Sequence, residues 1–165
     1  MSMIGNLRLV SDPELEDLFA GPEQIEDVLY ESDEPSPDEE VIDKAWHGLH
    51  YLLTGSAWDG DPPLNFLVSG GREIGDVDVG YGPARGFTSA EVAEISEALK
   101  QVTSDQLRSR FDAKLMMEAQ IYPEIWDRDP AEDDALGYLL EYFELLKTFV
   151  LRAHDESSGL IVYLN

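Results

Sequence analysis

The chain has 165 residues, 43% of them hydrophobic and 10% aromatic, which is enough to bury a core and fits one domain over residues 1–165. Its 35 acidic and 11 basic residues give a formal net charge of −24, which argues against binding nucleic acid or a membrane through a basic patch and favours cationic partners. The lack of cysteine excludes disulfides, thiolate metal sites and a cysteine nucleophile. Because no run of about 18 apolar residues occurs, we expect a soluble cytoplasmic protein.

The N-terminal quarter combines a predicted strand, two predicted helices and much of the negative charge. Residues 4–10 are apolar without helical spacing and predict a strand. Residues 11–14 are expected to start a helix, with Ser11 or Asp12 as its cap, and a second helix is expected over residues 23 to about 31. Residues 1–43 contain 14 acidic residues and one basic residue, Arg8. Such charge fits a solubilising surface, which is its commoner use, or a docking patch.

A central helix is predicted over residues 43–55, with Gly55 just past its end. Its apolar residues recur at the spacing of one helical face. They are Ile42, Ala45, Trp46, Leu49, Leu52 and Leu53. His50 is expected at the edge of this face, whereas Asp43 and His47, four residues apart, are expected just outside it. A polar site beside the core, if the domain has one, is expected at this edge.

The stretch after the central helix is rich in glycine and predicts little regular structure. Residues 69–87 are expected to be irregular, with a short strand near residues 77–79 or 81–87. Helical pattern returns at Thr88, which forms a capping box with Glu91 because each satisfies backbone donors near the other. A helix is therefore expected to begin there.

The C-terminal half predicts more helices and the clearest strand. Short helices are expected after Ser104 and over residues 113–120, and a proline-interrupted loop over residues 121–126. The longest helix is expected over about residues 131–153, and residues 160–164 predict a strand. Mostly helices with a strand near each end indicate an α+β domain whose small sheet is formed by the N- and C-terminal strands.

The sequence contains no complete catalytic or metal-binding motif. His47 and His50 are three residues apart and could share a metal in principle, but Asp43 is about 10 Å of helix rise from His50, so one helix cannot supply all three ligands. We therefore expect no metal and no cofactor, and a histidine bonded at the edge of the core. The glycines include no phosphate-binding or dinucleotide-binding motif.

Aromatic residues cluster with the glycine- and proline-rich loops. They are Trp46, Tyr51, Trp58, Tyr81, Tyr122 and Trp126. Aromatic rings with a few polar tips can line a pocket, although filling the core is their commoner role. Both interpretations remain open at this point.

Four segments resemble the YfbM-like family of uncharacterised bacterial proteins, a domain of unknown function. They are Met3-Ile4-Gly5, the Asp43-Lys44-x-Trp46-x-x-Leu49-His50-x-x-Leu53-Thr54-Gly55 motif, Gly80-Tyr81-Gly82-Pro83-Ala84-Arg85, and Ile121-Tyr122-Pro123-x-Ile125-Trp126. The resemblance extends over nearly the whole chain and implies a compact α+β fold. It implies no reaction, cofactor or catalytic residue.

Two hypotheses for function follow. The first is a non-enzymatic binding or regulatory module, including the immunity type, that uses its acidic surface on a basic protein partner. The alternative is a small-molecule-binding protein or enzyme with a pocket between the predicted 43–55 helix and the 121–126 loop. Its candidate residues are Lys44, Trp46, His50, Tyr81, Arg85, Tyr122 and Trp126. In that pocket His50 would be suited to proton transfer, but a structural histidine bonded to backbone is the expectation we favour.

Overall fold

A five-stranded antiparallel sheet, in the order β2-β1-β5-β4-β3, divides the protein into two helical layers. The computed structural model describes residues 2–165. The strands are β1 (Gly5–Val10), β2 (Glu39–Asp43), β3 (Arg72–Glu73), β4 (Arg85–Phe87) and β5 (Gly159–Leu164). The predicted pairing of the terminal strands is confirmed, because β1 and β5 pair along their full lengths at the centre of the sheet.

Seven α-helices accompany this sheet in the described residues. They are α1 (Asp12–Ala20), α2 (Ile25–Tyr30), α3 (Trp46–Thr54), α4 (Ser89–Lys100), α5 (Ser104–Arg110), α6 (Ala113–Glu118) and α7 (Ala135–Asp155). A turn of 3-10 helix at Pro22–Gln24 leads into α2. Together with the sheet they form the α+β fold that the sequence predicts.

Side chains alternate across the two central strands and supply both halves of the core. On one face, Leu7 of β1 and Val162 of β5 are opposite each other and pack with α3, α4 and α7. On the other face, Ile161 and Tyr163 pack with α1 and α2, whose buried residues include Leu15. Hence α1 and α2 form a layer of their own over one side of the sheet.

The central helix begins three residues later than predicted. Asp43 ends strand β2 with a φ of 49°, and α3 starts at Trp46. Ile42 is buried as predicted, but it enters the core from a strand. Strand β2 was not predicted because its sequence, Glu-Glu-Val-Ile-Asp, shows no alternation of apolar and polar residues. Its pairing with β1 is irregular near Gly5.

Other boundaries also differ from expectation. The longest helix begins at Ala135, where the side chain of Asp134 accepts a hydrogen bond from the N–H of Gly137 and caps it. Residues 77–79 form no strand, whereas β4 lies within the alternative range of 81–87. In the described part of the chain, no helix is long and apolar enough to cross a membrane.

Candidate functional site

His47 joins two loops to the central helix through both of its ring nitrogens. Its Nε2 lies 2.7 Å from the carbonyl oxygen of Ala57, and its Nδ1 lies 2.8 Å from the backbone nitrogen of Tyr122. Because the Tyr122 N–H can only donate, Nδ1 accepts and Nε2 carries the proton that is donated to Ala57. His47 therefore has one required tautomer and is neutral.

The position of His47 differs from the sequence-based expectation. It was expected just outside the apolar face, but it is fully buried. The loops at Ala57 and Tyr122 cover that side of α3, which the helix periodicity alone could not indicate. Burial lowers the pKa of His47 from 6.5 to about 4, which keeps the ring neutral at ordinary pH.

His50 is also fully buried and bonded to backbone, as expected for a structural histidine. Its Nε2 lies 2.7 Å from the carbonyl oxygen of Asp59, whereas its Nδ1 is buried without a hydrogen-bond partner among the described residues. Burial lowers the pKa of His50 as well. A sealed, neutral imidazole cannot exchange protons with a ligand at the surface, so this arrangement is structural.

The two histidines hold the loop that carries Trp58. Ala57 and Asp59, on either side of Trp58, are the two carbonyl acceptors. The Trp58 ring lies with its centroid 4.3 Å from that of His47 and 6.4 Å from that of Trp46, yet 57% of the residue is exposed. An exposed tryptophan is thus held in a defined position by α3.

A cavity of about 230 Å³ lies beside Trp46 and Trp58. It is mainly apolar, with a few polar groups, which is the usual composition of a ligand site. The residues that line it are Trp46, Trp58, Leu67, Val68, Glu73, Tyr81, Pro83, Arg85, Val162, Tyr163 and Leu164. We call it the tryptophan cavity.

Arg85 is a partly buried cation that backbone carbonyls hold in the wall of the tryptophan cavity. Its guanidinium donates to the carbonyl oxygens of Phe66 at 3.0 Å and Leu67 at 2.6 Å, and also to that of Gly70. Burial lowers the pKa of Arg85 to about 10, so the group stays charged at neutral pH. Within the described residues no carboxylate lies within 4.0 Å of it.

Glu73 is the acidic group of the same cavity. It pairs with Arg85 in the antiparallel ladder of β3 and β4, so the two side chains leave the sheet on the same face. Glu73 is exposed and raises the pKa of Arg85 slightly against the effect of burial, but the two charges form no ion pair. A separated positive and negative charge therefore lie side by side in one cavity.

The seven residues proposed from the sequence divide among several environments. Trp46, Tyr81 and Arg85 line the tryptophan cavity. Tyr122 stacks on Trp46 with ring centroids 5.6 Å apart, so packed rings occupy the region between α3 and the 121–126 loop. The other three line no part of this cavity. Lys44 lies at the turn before α3, His50 is in the core, and Trp126 is buried beside Ile121, whose carbonyl accepts its indole N–H.

Eight of the eleven lining residues were absent from the sequence-based set, among them Trp58 and Glu73. Trp58 was noted among the clustered aromatics, and its place directly after the central helix was the signal that could have included it. Glu73 is one of 35 acidic residues and carries no such signal. Only the register of β3 against β4 places it beside Arg85.

A second candidate surface is the outer side of α1, α2 and the loop that follows them, which we call the anionic layer. Ten of its carboxylate residues are exposed. They are Glu14, Glu16, Asp17, Glu23, Glu26, Asp27, Glu31, Asp33, Glu34 and Asp38. Among the described residues only Asp38 of this set forms an ion pair, with Arg152 at 3.1 Å. Arg8 contacts Glu39 instead, and Arg72 lies over the ring of Phe19 in α1, so this surface is predominantly negative.

Comparison with known proteins identifies the family. Residues 1–163 match the family described as a domain of unknown function, DUF1877. Protein YfbM from Escherichia coli (strain K12) is 35% identical over 109 residues, and the aligned region spans 64% of this chain and 64% of that protein. A crystal structure of YfbM from Escherichia coli, described as a protein of unknown function, has the same fold, with a TM-score of 0.76 at 22% identity over 98% of this chain and 99% of that one. The expected resemblance is thereby confirmed, and the chain belongs to the DUF1877 family of domains of unknown function.

Proposed function

We propose that the protein is a non-enzymatic binding module, of regulatory or immunity type, whose anionic layer docks a basic protein. The observation that carries this proposal is the concentration of ten exposed carboxylates on one side of the sheet, nine of them without an ion pair in the described residues. A surface of one sign attracts a partner of the opposite sign and accelerates its association.

The anionic layer is also well held, which a docking surface requires. Leu15 and Leu18 of α1, with Ile25 and Leu29 of α2, are buried against the sheet. The carboxylates of α1 and α2 therefore project from a fixed scaffold, and a partner would not have to order these helices first. Preorganisation of this kind lowers the entropic cost of binding.

The chemistry of the two buried histidines favours binding over catalysis. Histidine is the side chain best suited to proton transfer near neutral pH, but His47 and His50 both use Nε2 on backbone carbonyls inside the core. The third histidine, His154, is exposed in the last turn of α7, and within the described residues its ring makes no hydrogen bond or ion pair with a carboxylate or hydroxyl that would form a catalytic pair.

The experiment compares two variants with the same change in net charge. In the first, Glu16, Asp17, Glu26 and Asp27 of the anionic layer are replaced by their amides. In the second, the control, glutamine replaces four exposed glutamates that lie outside the anionic layer, namely Glu94, Glu118, Glu132 and Glu141. Each protein is immobilised and used to capture partners from cells that contain it naturally, over a series of salt concentrations.

We expect a basic protein to be retained by the wild type and the control and released by rising salt. Rising salt should release the partner because dissolved ions screen the attraction between exposed charges. The variant of the anionic layer should not retain the partner, because it lacks four of the carboxylates that attract it. Retention that is indifferent to salt, or equal loss of the partner from both variants, would count against the proposal. Recovery of only acidic or neutral partners would do so as well.

A further inference from the structure

The tryptophan cavity contains two opposite charges that the fold leaves unpaired with each other. Arg85 and Glu73 are direct neighbours in the ladder of β3 and β4. Both line the cavity, but no ion pair joins them within the described residues. The guanidinium turns instead to the backbone carbonyls of residues 66, 67 and 70. Two complementary charges are therefore available to a ligand in the same space.

Arg85 retains the capacity to bind a carboxylate. A guanidinium has five N–H groups, and three donate to carbonyl oxygens within the described chain, which leaves two. Those carbonyls also hold the side chain in one orientation. A preoriented guanidinium with two remaining donors suits a carboxylate, since hydrogen bonds between ionised groups are among the strongest in proteins.

The remaining walls suit an apolar group. Trp46 is buried at 1% exposure and Leu67 also at 1%, whereas Trp58 and Tyr81 are partly open to solvent at 57% and 38%. The buried residues form an apolar inner wall, and the exposed rings form a rim. Because His47 and His50 hold the Trp58 loop, this rim is already in place without a ligand.

The charges select the class of ligand. A simple anion would be repelled by a protein of net charge −24, and a simple cation would leave the partly buried Arg85 unused. A zwitterion carries no net charge and can satisfy both groups. We propose that the tryptophan cavity binds a free α-amino acid with an apolar side chain, its carboxylate on Arg85, its ammonium near Glu73 and its side chain against Trp46 and Trp58.

The size of the cavity, about 230 Å³, is consistent with a ligand no larger than a single amino acid. This site shares no residue with the anionic layer, so the test of one does not decide the other. Glu73 is the informative position, because it is exposed and its side chain makes no hydrogen bond or ion pair with the described residues. Its substitution should leave the fold intact.

The test is a titration of the full chain followed by the indole N–H resonances of Trp46 and Trp58. The probes are L-leucine and L-phenylalanine, with the N-acetyl form of each, which lacks the ammonium, and the amide of each, which lacks the carboxylate. We expect saturable shifts with at least one of the two amino acids and binding weaker by about tenfold or more for the matching analogues, since each removes one ionic contact.

Glu73→Gln supplies the second arm, with Asp76→Asn, another exposed carboxylate outside the cavity, as its control. Glu73→Gln should weaken the binding of the amino acid by about tenfold but should not weaken the binding of the N-acetyl analogue, because that analogue is an anion with no ammonium to contact Glu73. Asp76→Asn should change neither. The proposal is overturned if neither amino acid gives a saturable shift, if either analogue binds as well as its parent, or if Glu73→Gln binds the amino acid like wild type.

Discussion

The backbone N–H of Tyr122 donates to Nδ1 of His47 over 2.8 Å, so a loop 75 residues away in sequence depends on one ring nitrogen of the central helix. The same ring donates from Nε2 to Ala57. His47 therefore does more structural work than its neighbour His50, which makes one hydrogen bond. The contrast gives a direct test of how the helix holds its loops.

We expect His47→Ala to destabilise the protein more than His50→Ala. The first leaves a donor and an acceptor without a partner, the second only the carbonyl of Asp59, and each such group costs about 1 to 3 kcal/mol when it stays buried. His50→Gln should recover much of its loss by keeping one hydrogen bond. Chemical denaturation measures all three. His154→Ala, at an exposed histidine, is the control and should stay within about 0.5 kcal/mol of wild type.

A tolerated His47→Ala would contradict this account. A side chain outside the apolar face would tolerate alanine within about 0.5 kcal/mol. Full burial of the ring now argues for the opposite result. Equal stability of the wild type and both alanine variants would show that the loops hold their positions without the histidines.

The dependence of stability on pH should report the same neutral histidine. The pKa of His47 is about 4 in the folded protein and near 6.5 when the chain is unfolded. Below pH 6.5 the unfolded chain binds a proton that the folded chain does not. The contribution of neutral His47 to the free energy of unfolding is therefore fully present above pH 6.5 and decreases as the pH falls towards 4. The limiting slope is about 1.4 kcal/mol per pH unit.

The measurement is the difference in unfolding free energy between wild type and His47→Gln, because the difference removes the shared titration of the many carboxylates. It should shrink as the pH is lowered from about 7 to about 5. A difference that stays constant over this range would mean that His47 titrates alike in the folded and unfolded chains.

Asp12 of α1 connects the two helical layers, and its replacement should lower the stability of the protein. One carboxylate oxygen accepts the backbone N–H of Ser89 at 2.8 Å, in the first turn of α4, and the other accepts the Ser89 hydroxyl. Asp12→Ala should cost about 1 to 2 kcal/mol, like the loss of a helix cap. Asp17→Ala, in the same helix but exposed and without such a contact, is the matched control for thermal or chemical denaturation. Similar effects of the two changes would contradict a role for Asp12 in holding α4.

Sequence periodicity predicted the helices and strands that bury an apolar face in the core. It missed the strands that form mainly because their backbone pairs with a neighbouring strand. The stripe from Trp46 to Leu53 predicted α3, and the apolar run in β5 predicted a strand. Strands β2 and β3 escaped because their residues are mostly polar and depend on neighbours far along the chain. The same reason limits the site, since the approach of Glu73 to Arg85 follows only from the register of β3 and β4.

Gly48 offers a test in which two effects of known size oppose each other. Alanine favours a helix over glycine by about 1 kcal/mol, so Gly48→Ala in α3 would stabilise an exposed helix. Here a Cβ would lie 2.8 Å from Cδ2 of Leu139 and 2.9 Å from Cη2 of Trp126. Overpacking of a core costs about 1 to 3 kcal/mol, so we expect a net loss of about 1 kcal/mol in chemical denaturation. In a Leu139→Ala background, where the nearest obstacle is gone but Cη2 of Trp126 remains, the same change should cost less. A gain in the wild-type background would show that α3 and α7 can separate at little cost.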